Sequence, residues 1–183
     1  HMVVNGIIWP KYTVEPRQYR VRFLNGTDSR FMRLRLRVVS TGVTDPASGG
    51  TVPFYVIGSD QSLRSFAAVV DEVDFAPGER LDLIIDFKNV PFGSRVIVEN
   101  LLGDAPFGGA LPEPDDLFPD RRTDRVMAFD VEMPRNNAVA DTAITDGTGL
   151  GVGVAVPATT KVRRLALFEG SDEFGRLQPL LGT

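Results

Sequence analysis

Two runs of strict alternation constrain this chain more than any other feature. In residues 18–25, Tyr19, Val21 and Phe23 fall on one side and Arg20 and Arg22 on the other. In residues 32–39, Leu34, Leu36 and Val38 oppose Arg33, Arg35 and Arg37. A period of two sends successive side chains to opposite faces of a strand, so each run predicts a strand with one buried face. Further apolar runs lie at 54–57, 67–75, 81–87, 95–101 and 125–133, and turn formers punctuate them at Asn25-Gly26, Pro46 to Gly50, Pro77-Gly78 and Pro91 to Gly93. Short strands at this spacing predict an all-β fold, an antiparallel Greek-key sandwich or barrel over 12–133. Its core is expected from Tyr19, Val21, Phe23, Leu34, Leu36, Val38, Ile57, Leu83, Ile85, Phe87, Val96 and Val98.

Composition narrows the chemistry. The chain has 183 residues, no cysteine and a single histidine, His1. His1-Met2 reads as the scar of a cleaved expression tag, which would leave no native histidine. Disulfides, thiol nucleophiles, thiolate metal sites and Ser-His-Asp or Cys-His devices are then all excluded. The net charge is −4, against the basic excess of nucleic-acid domains, so no nucleic acid is expected as a partner. No apolar run approaches the roughly 20 residues that span a bilayer, so no membrane is expected either.

The remaining segments read mostly as connections. Residues 102–122 form a loop rich in Gly and Pro; its acids Glu113, Asp115 and Asp116 fit no calcium-loop spacing. Residues 134–160 are rich in Asn, Ala, Thr and Gly. Gly147, Gly149, Gly151 and Gly153 alternate there, but match neither the dinucleotide nor the P-loop glycine pattern. The segment is expected to be a linker. Lys161 to Phe168 predicts one more strand, followed by a turn at Asp172-Glu173-Phe174-Gly175-Arg176. One strand cannot make a domain, so 161–183 reads as the truncated start of the next one. Its open edges are expected to pair with the sandwich or with a neighbouring copy.

Isolated candidates for function are weak. Asp82 and Asp86 share a strand face at a separation a carboxylate pair could use, but exposed acids explain them as well. Asn25-Gly26-Thr27 spells a glycosylation acceptor, although Asn-Gly also suits a turn after a strand. Trp9, the only tryptophan, suits an anchor in the segment that enters the sandwich.

Taken in order, several blocks resemble the second cupredoxin domain of three-domain multicopper oxidases, nearest the spore-coat laccase, bilirubin oxidase and phenoxazinone synthase type. They are Val4-Asn5-Gly6, Trp9-Pro10, Val14-Glu15-Pro16-Arg17, Tyr19-Arg20-Val21-Arg22-Phe23-Leu24-Asn25 with Arg30, and Ile57-Gly58-Ser59-Asp60. The most specific is Phe75-Ala76-Pro77-Gly78-Glu79-Arg80-Leu81-Asp82-Leu83-Ile84-Ile85-Asp86-Phe87. Asn100, Met127 and Phe129 fit more loosely, and Arg163-Arg164-Leu165 with Asp172 to Arg176 resembles the opening of the third domain. Two departures stand out: Gln61-Ser62 where the family commonly has two glycines, and a longer stretch at 40–53.

The resemblance implies a division of the chain. Residues 1–2 would be a tag remnant, 3–133 a cupredoxin-like domain, 134–160 a linker and 161–183 the start of the following domain. It implies a parent enzyme that couples one-electron oxidation of phenols, pigments or metal ions to reduction of O2 to water, outside the cytoplasm or at a spore or cell surface. The coppers would be held by the missing domains, and this chain would carry no catalytic, cofactor or metal residue. Its partners would be the first and third domains of the same polypeptide, with self-association in their absence. Two alternatives stand beside this: a free-standing β-sandwich binding module, and a domain from a family member that has lost its coppers. For the matched charges Arg20, Arg22, Arg30, Glu79, Arg80, Asp82 and Asp86, charge-assisted hydrogen bonds that fix strand register are expected.

Overall fold

The computed structural model describes residues 1–40, 49–60, 62–113, 122–151, 158 and 161–182, without the side chains of Ser40 and Pro179. Residues 41–48 of the longer stretch, Gln61, and the acids Asp115 and Asp116 lie outside the described residues. The chain forms two compact units, His1–Val152 and Gly153–Thr183. Among the described residues there is no helix, and hence none long and apolar enough to cross a membrane.

The first unit opens with a small hairpin, β1 (Val3–Val4) and β2 (Ile7–Ile8). Its two-residue turn is Asn5-Gly6, both at positive φ (51° and 84°), the geometry that matches the twist of paired strands. The sandwich follows. Its strands are β3 (Lys11–Val14), β4 (Gln18–Leu24), β5 (Met32–Ser40), β6 (Phe54–Ser59), β7 (Ser62–Val70), β8 (Glu72–Phe75), β9 (Arg80–Asp86), β10 (Ser94–Asn100) and β11 (Arg125–Val131). They make a five-stranded sheet in the order β3-β11-β10-β5-β8 and a four-stranded sheet in the order β4-β9-β6-β7. The chain crosses repeatedly between the sheets, as Greek-key connections require. Pairing is antiparallel except between β3 and β11, which run parallel from Lys11↔Ala128 to Val14↔Val131.

The main core lies between the sheets. Leu34, Leu36, Phe54, Leu83, Ile85, Phe87, Val96, Val98, Phe129 and Val131 are buried in it, and Tyr19, Val21, Phe23 and Val38 pack against it half-buried. Ile57 departs from expectation: it is buried, but in a separate cluster with Ala67 and Ile84. The cause is alternation along β6: Phe54 and Val56 face the main core, so Ile57 shares the outer face with Tyr55, which packs against the same cluster. Met2, although read as tag sequence, is buried in the main core, and its carbonyl accepts from Trp9 N at 3.2 Å.

Two segments differ from the sequence reading. Residues 134–151 fall within the first unit and lie along the four-stranded sheet rather than hanging free. In the second unit, 161–165 form no strand. Instead β12 (Ala166–Ser171) pairs antiparallel with β13 (Leu177–Gly182), so β12 finds its partner within the tail. Asp172 fastens the intervening turn, accepting from Phe174 N and Arg176 N at 2.9 Å and from Arg176 Nε at 2.6 Å. The hydrogen bond from the Arg176 amide is the main reason that its carboxyl sits below the usual range.

Candidate functional site

Asn25, Arg30, Pro77, Gly78, Glu79 and Asn100, all singled out in the sequence, meet where β4, β8 and β10 end and β9 begins. Pro77 and Gly78 occupy a turn closed by Glu79 N donating to Ala76 O at 3.0 Å, with Gly78 at φ 78°, the backbone a type II turn demands. Glu79 Oε2 accepts from Ala76 N at 2.8 Å and so braces the same turn. Asn25, at 1% exposure, clasps that turn to β4. Its backbone N donates to Glu79 O at 3.0 Å and its carbonyl accepts from Gly78 N at 2.8 Å. Its Nδ2 donates to Arg30 O (2.9 Å) and Phe75 O (3.0 Å), while Oδ1 accepts from Thr27 N (3.1 Å) and Oγ1 (2.7 Å). The turn after β4 is therefore made by the Asn25 side chain and not by Gly26, whose φ is not positive. With Nδ2 fully engaged and buried, the Asn25-Gly26-Thr27 triplet offers no acceptor for a glycan in the folded protein.

Asn100 repeats the device at the end of β10. Its Oδ1 accepts from Arg33 N and Leu102 N, both at 3.2 Å, and Nδ2 donates to Gly103 O (2.8 Å) and Thr123 O (3.0 Å). Arg30 links the two clasps by donating Nη1 to Gly103 O at 2.9 Å. Among the matched charges one cross-strand pair forms, Arg20 with Asp82, and Arg30, Glu79, Arg80 and Asp86 find partners outside the set. Arg20 grips Asp82 with Nε and Nη2 at 2.9 and 2.5 Å. Arg80 turns to Asp60, whose Oδ1 also accepts from Arg80 N at 2.9 Å. Asp86 takes Gln18 Nε2 at 2.8 Å and Lys88 N at 2.9 Å. Arg22 stands opposite Asp82 in register, but that carboxylate is held by Arg20. Asp82 and Asp86 thus each have their own partners and do not act as a carboxylate pair. Gly58 sits where a Cβ would come within 2.9 Å of Ser62 O and 3.3 Å of the Asp82 Cβ, so the bulge requires glycine.

At the entering segment, Trp9 packs half-buried against the main core at φ 45°, with the Arg125 guanidinium 5.5 Å from its ring centre. Pro10 O accepts from Ala128 N at 3.0 Å and leads into β3.

Sequence reasoning missed the contacts of residues 134–151. Arg17, 7% exposed, donates Nη2 to Asn136 O (3.0 Å) and Val139 O (3.1 Å), and its Nε lies 3.3 Å from Asp141 and 3.4 Å from Glu15. The Gln18 amide pairs with the Ile144 peptide as a neighbouring strand would, Nε2 to Ile144 O at 2.7 Å and Ile144 N to Oε1 at 2.8 Å. Further on, Ala67 N donates to Thr148 O, Gly147 N to Ala67 O and Leu150 N to Ser65 O, all at 2.9 Å, along the β7 edge. Ile144 and Leu150 pack over Ile57, Ala67 and Ile84.

Copper asks for imidazole or thiolate donors. The chain has one histidine and no cysteine, and among the described residues no three His, Cys, Asp or Glu side chains gather where they could hold a metal. The residues present do not fit copper.

No family model matches the chain. Individual relatives do. A rice (Oryza sativa subsp. japonica) multicopper oxidase, LPR1 homolog 5, is 30% identical over 183 residues, covering 96% of this chain. A laccase of Bacillus subtilis is 30% identical over 182 residues and 100% of the chain, and a bilirubin oxidase of Albifimbria verrucaria 30% over 176 residues and 96%. The homologues of this chain are multicopper oxidases. It spans less than a third of their length: 26%, 31% and 27% respectively. Among solved structures, the multicopper oxidase McoA of Aquifex aeolicus matches 90% of the chain and 30% of its own, at 25% identity and a TM-score of 0.58. The multicopper oxidase Fet3p, at 12% identity and a TM-score of 0.56, shares the fold. The all-β architecture is thus cupredoxin-like, and the chain has the extent of one domain of a multicopper oxidase.

Proposed function

We propose that this chain is the middle, copper-free domain of a three-domain multicopper oxidase of the laccase and bilirubin oxidase type. One observation carries the reading: the match runs through the whole chain yet takes in under a third of each relative, and that third brings no donor set for copper. The domain's part is mechanical. It holds the first and third domains, which would carry the coppers, at a working separation and walls part of the approach for substrate. The two asparagine clasps and the Pro77-Gly78 turn stiffen one end of the sandwich for that task. Residues 161–183 are the opening of the third domain, in keeping with their separation from the sandwich as a compact unit. In the parent, single electrons from phenols, pigments or metal ions would reduce O2 to water at coppers outside this segment.

Calorimetry with Cu(II) on the His1→Ala variant, which keeps the buried Met2 in place, tests the reading. Neither micromolar binding at a defined site nor oxidation of a phenolic dye above a copper-and-buffer blank is expected. Either result would overturn it.

A further inference from the structure

We propose that the β7 edge, together with Glu15, Arg17 and Gln18, is a strand-accepting site filled by residues 134–150 of the same chain, and that this strap opens and closes as a unit while the sandwich stays folded. Recognition is mostly by backbone. Arg17 Nη2 donates to two strap carbonyls, Glu15 Oε2 accepts Asn136 N at 2.8 Å, and Gln18 mimics a strand neighbour for Ile144. At the opposite edge of the same sheet, Ser65 and Ala67 of β7 form a short ladder with Gly147, Thr148 and Leu150, and Asp146 Oδ1 accepts Val69 N at 3.0 Å. This is how an extended peptide adds to a sheet edge, with main-chain bonds for affinity and a few pockets for side chains.

Two observations make the strap separable. Its residues 134–140 are all exposed, and of the rest only Asp141, Ile144, Thr148 and Leu150 are half-buried. Few buried apolar contacts and solvent-facing hydrogen bonds are the marks of low local stability. The patch beneath it, Ile57, Ala67 and Ile84, forms a cluster distinct from the main core. Lifting the strap would uncover that patch and leave the interior between the sheets as it is.

Amide hydrogen exchange on the intact chain tests this. Ile144, Gly147, Leu150, Ala67 and Val69 amides should exchange as a group, faster than Val96 and Val98 in the central β10. Gln18→Ala removes the two bonds to the Ile144 peptide and should speed the group by roughly 10- to 30-fold, with Val96 and Val98 unchanged. Exchange of the strap and β10 at one common rate in the unaltered chain would overturn the proposal, as would strap protection that ignores Gln18→Ala.

Discussion

The two outer faces of the sandwich solve the same problem in opposite ways. On the five-stranded sheet the outward side chains are ionic and pair across strands. Asp130 of β11 takes Arg95 Nε at 2.6 Å and Nη2 at 3.0 Å, and Lys11 at 3.1 Å. Glu99 of β10 takes Arg35 at 2.9 Å and Arg37 at 2.7 Å, while Arg33 reaches Asp74 of β8 at 2.7 and 3.1 Å. On the four-stranded sheet, Ile57, Ala67 and Ile84 face outward and are sealed by Ile144 and Leu150. One face is finished by its own strands and the other by a separate length of chain. The first depends on charge state, the second on the strap staying down.

Placing a carboxylate on each face should break the comparison most sharply. Ile84→Asp puts an unpaired charge beneath the strap and is expected to cost about 2–4 kcal/mol, read as the shift of the urea midpoint. Ile97→Asp, on the ionic face opposite Arg37, is expected to cost under about 1 kcal/mol. Equal losses would show that the faces are not different in kind.

Next in size is Asp130→Asn, expected to cost about 2 kcal/mol by weakening bonds to two cations. The hydrogen bond from Arg95 is the first reason, and that from Lys11 a further one, that the Asp130 carboxyl sits below the ordinary range. A depressed folded-state value means that its stabilisation is complete above the unfolded carboxyl value of about 3.9 and is lost as pH falls through the folded one. Thermal unfolding midpoints below about pH 4 should therefore fall less steeply in Asp130→Asn than in the parent chain. Parallel slopes would remove Asp130 from the acid response.

The smallest effect belongs to Arg20→Ala. Its pair with Asp82 is close, but the Arg20 side chain is 54% exposed, and exposed pairs contribute little because water screens them. The difference in urea midpoint should shrink in 0.5–1 M salt, where the screening length is only about 3–5 Å.

What could be read in advance follows from the range of each signal. The alternation in β4 and β5 is local, and so is the demand that Gly78 take a positive φ, so both were legible. The β1–β2 hairpin was legible too, had Asn5-Gly6 between Val3-Val4 and Ile7-Ile8 been weighed as a turn. The parallel pairing of Lys11–Val14 with residues 128–131 has no local signature. The strap escaped notice because Arg17 and Gln18 bind peptide groups, which every sequence possesses. A hint of it was nevertheless present. Leu81 to Phe87 is apolar on both alternating sides at Leu83, Ile84 and Ile85, and a strand of that kind is covered on both faces.

The two Asn-Gly pairs should age differently. An asparagine before glycine loses its amide when the following backbone nitrogen can turn and attack the side-chain carbonyl. Asn5 lies exposed in a turn, where that motion is open to it. Asn25 is spelled the same way, yet both ends of its amide are held and the group is shut away from water. On long storage, deamidation should accumulate at position 5 and spare position 25. Its late appearance at position 25 would then report chains that have unfolded, a chemical clock written into one clasp.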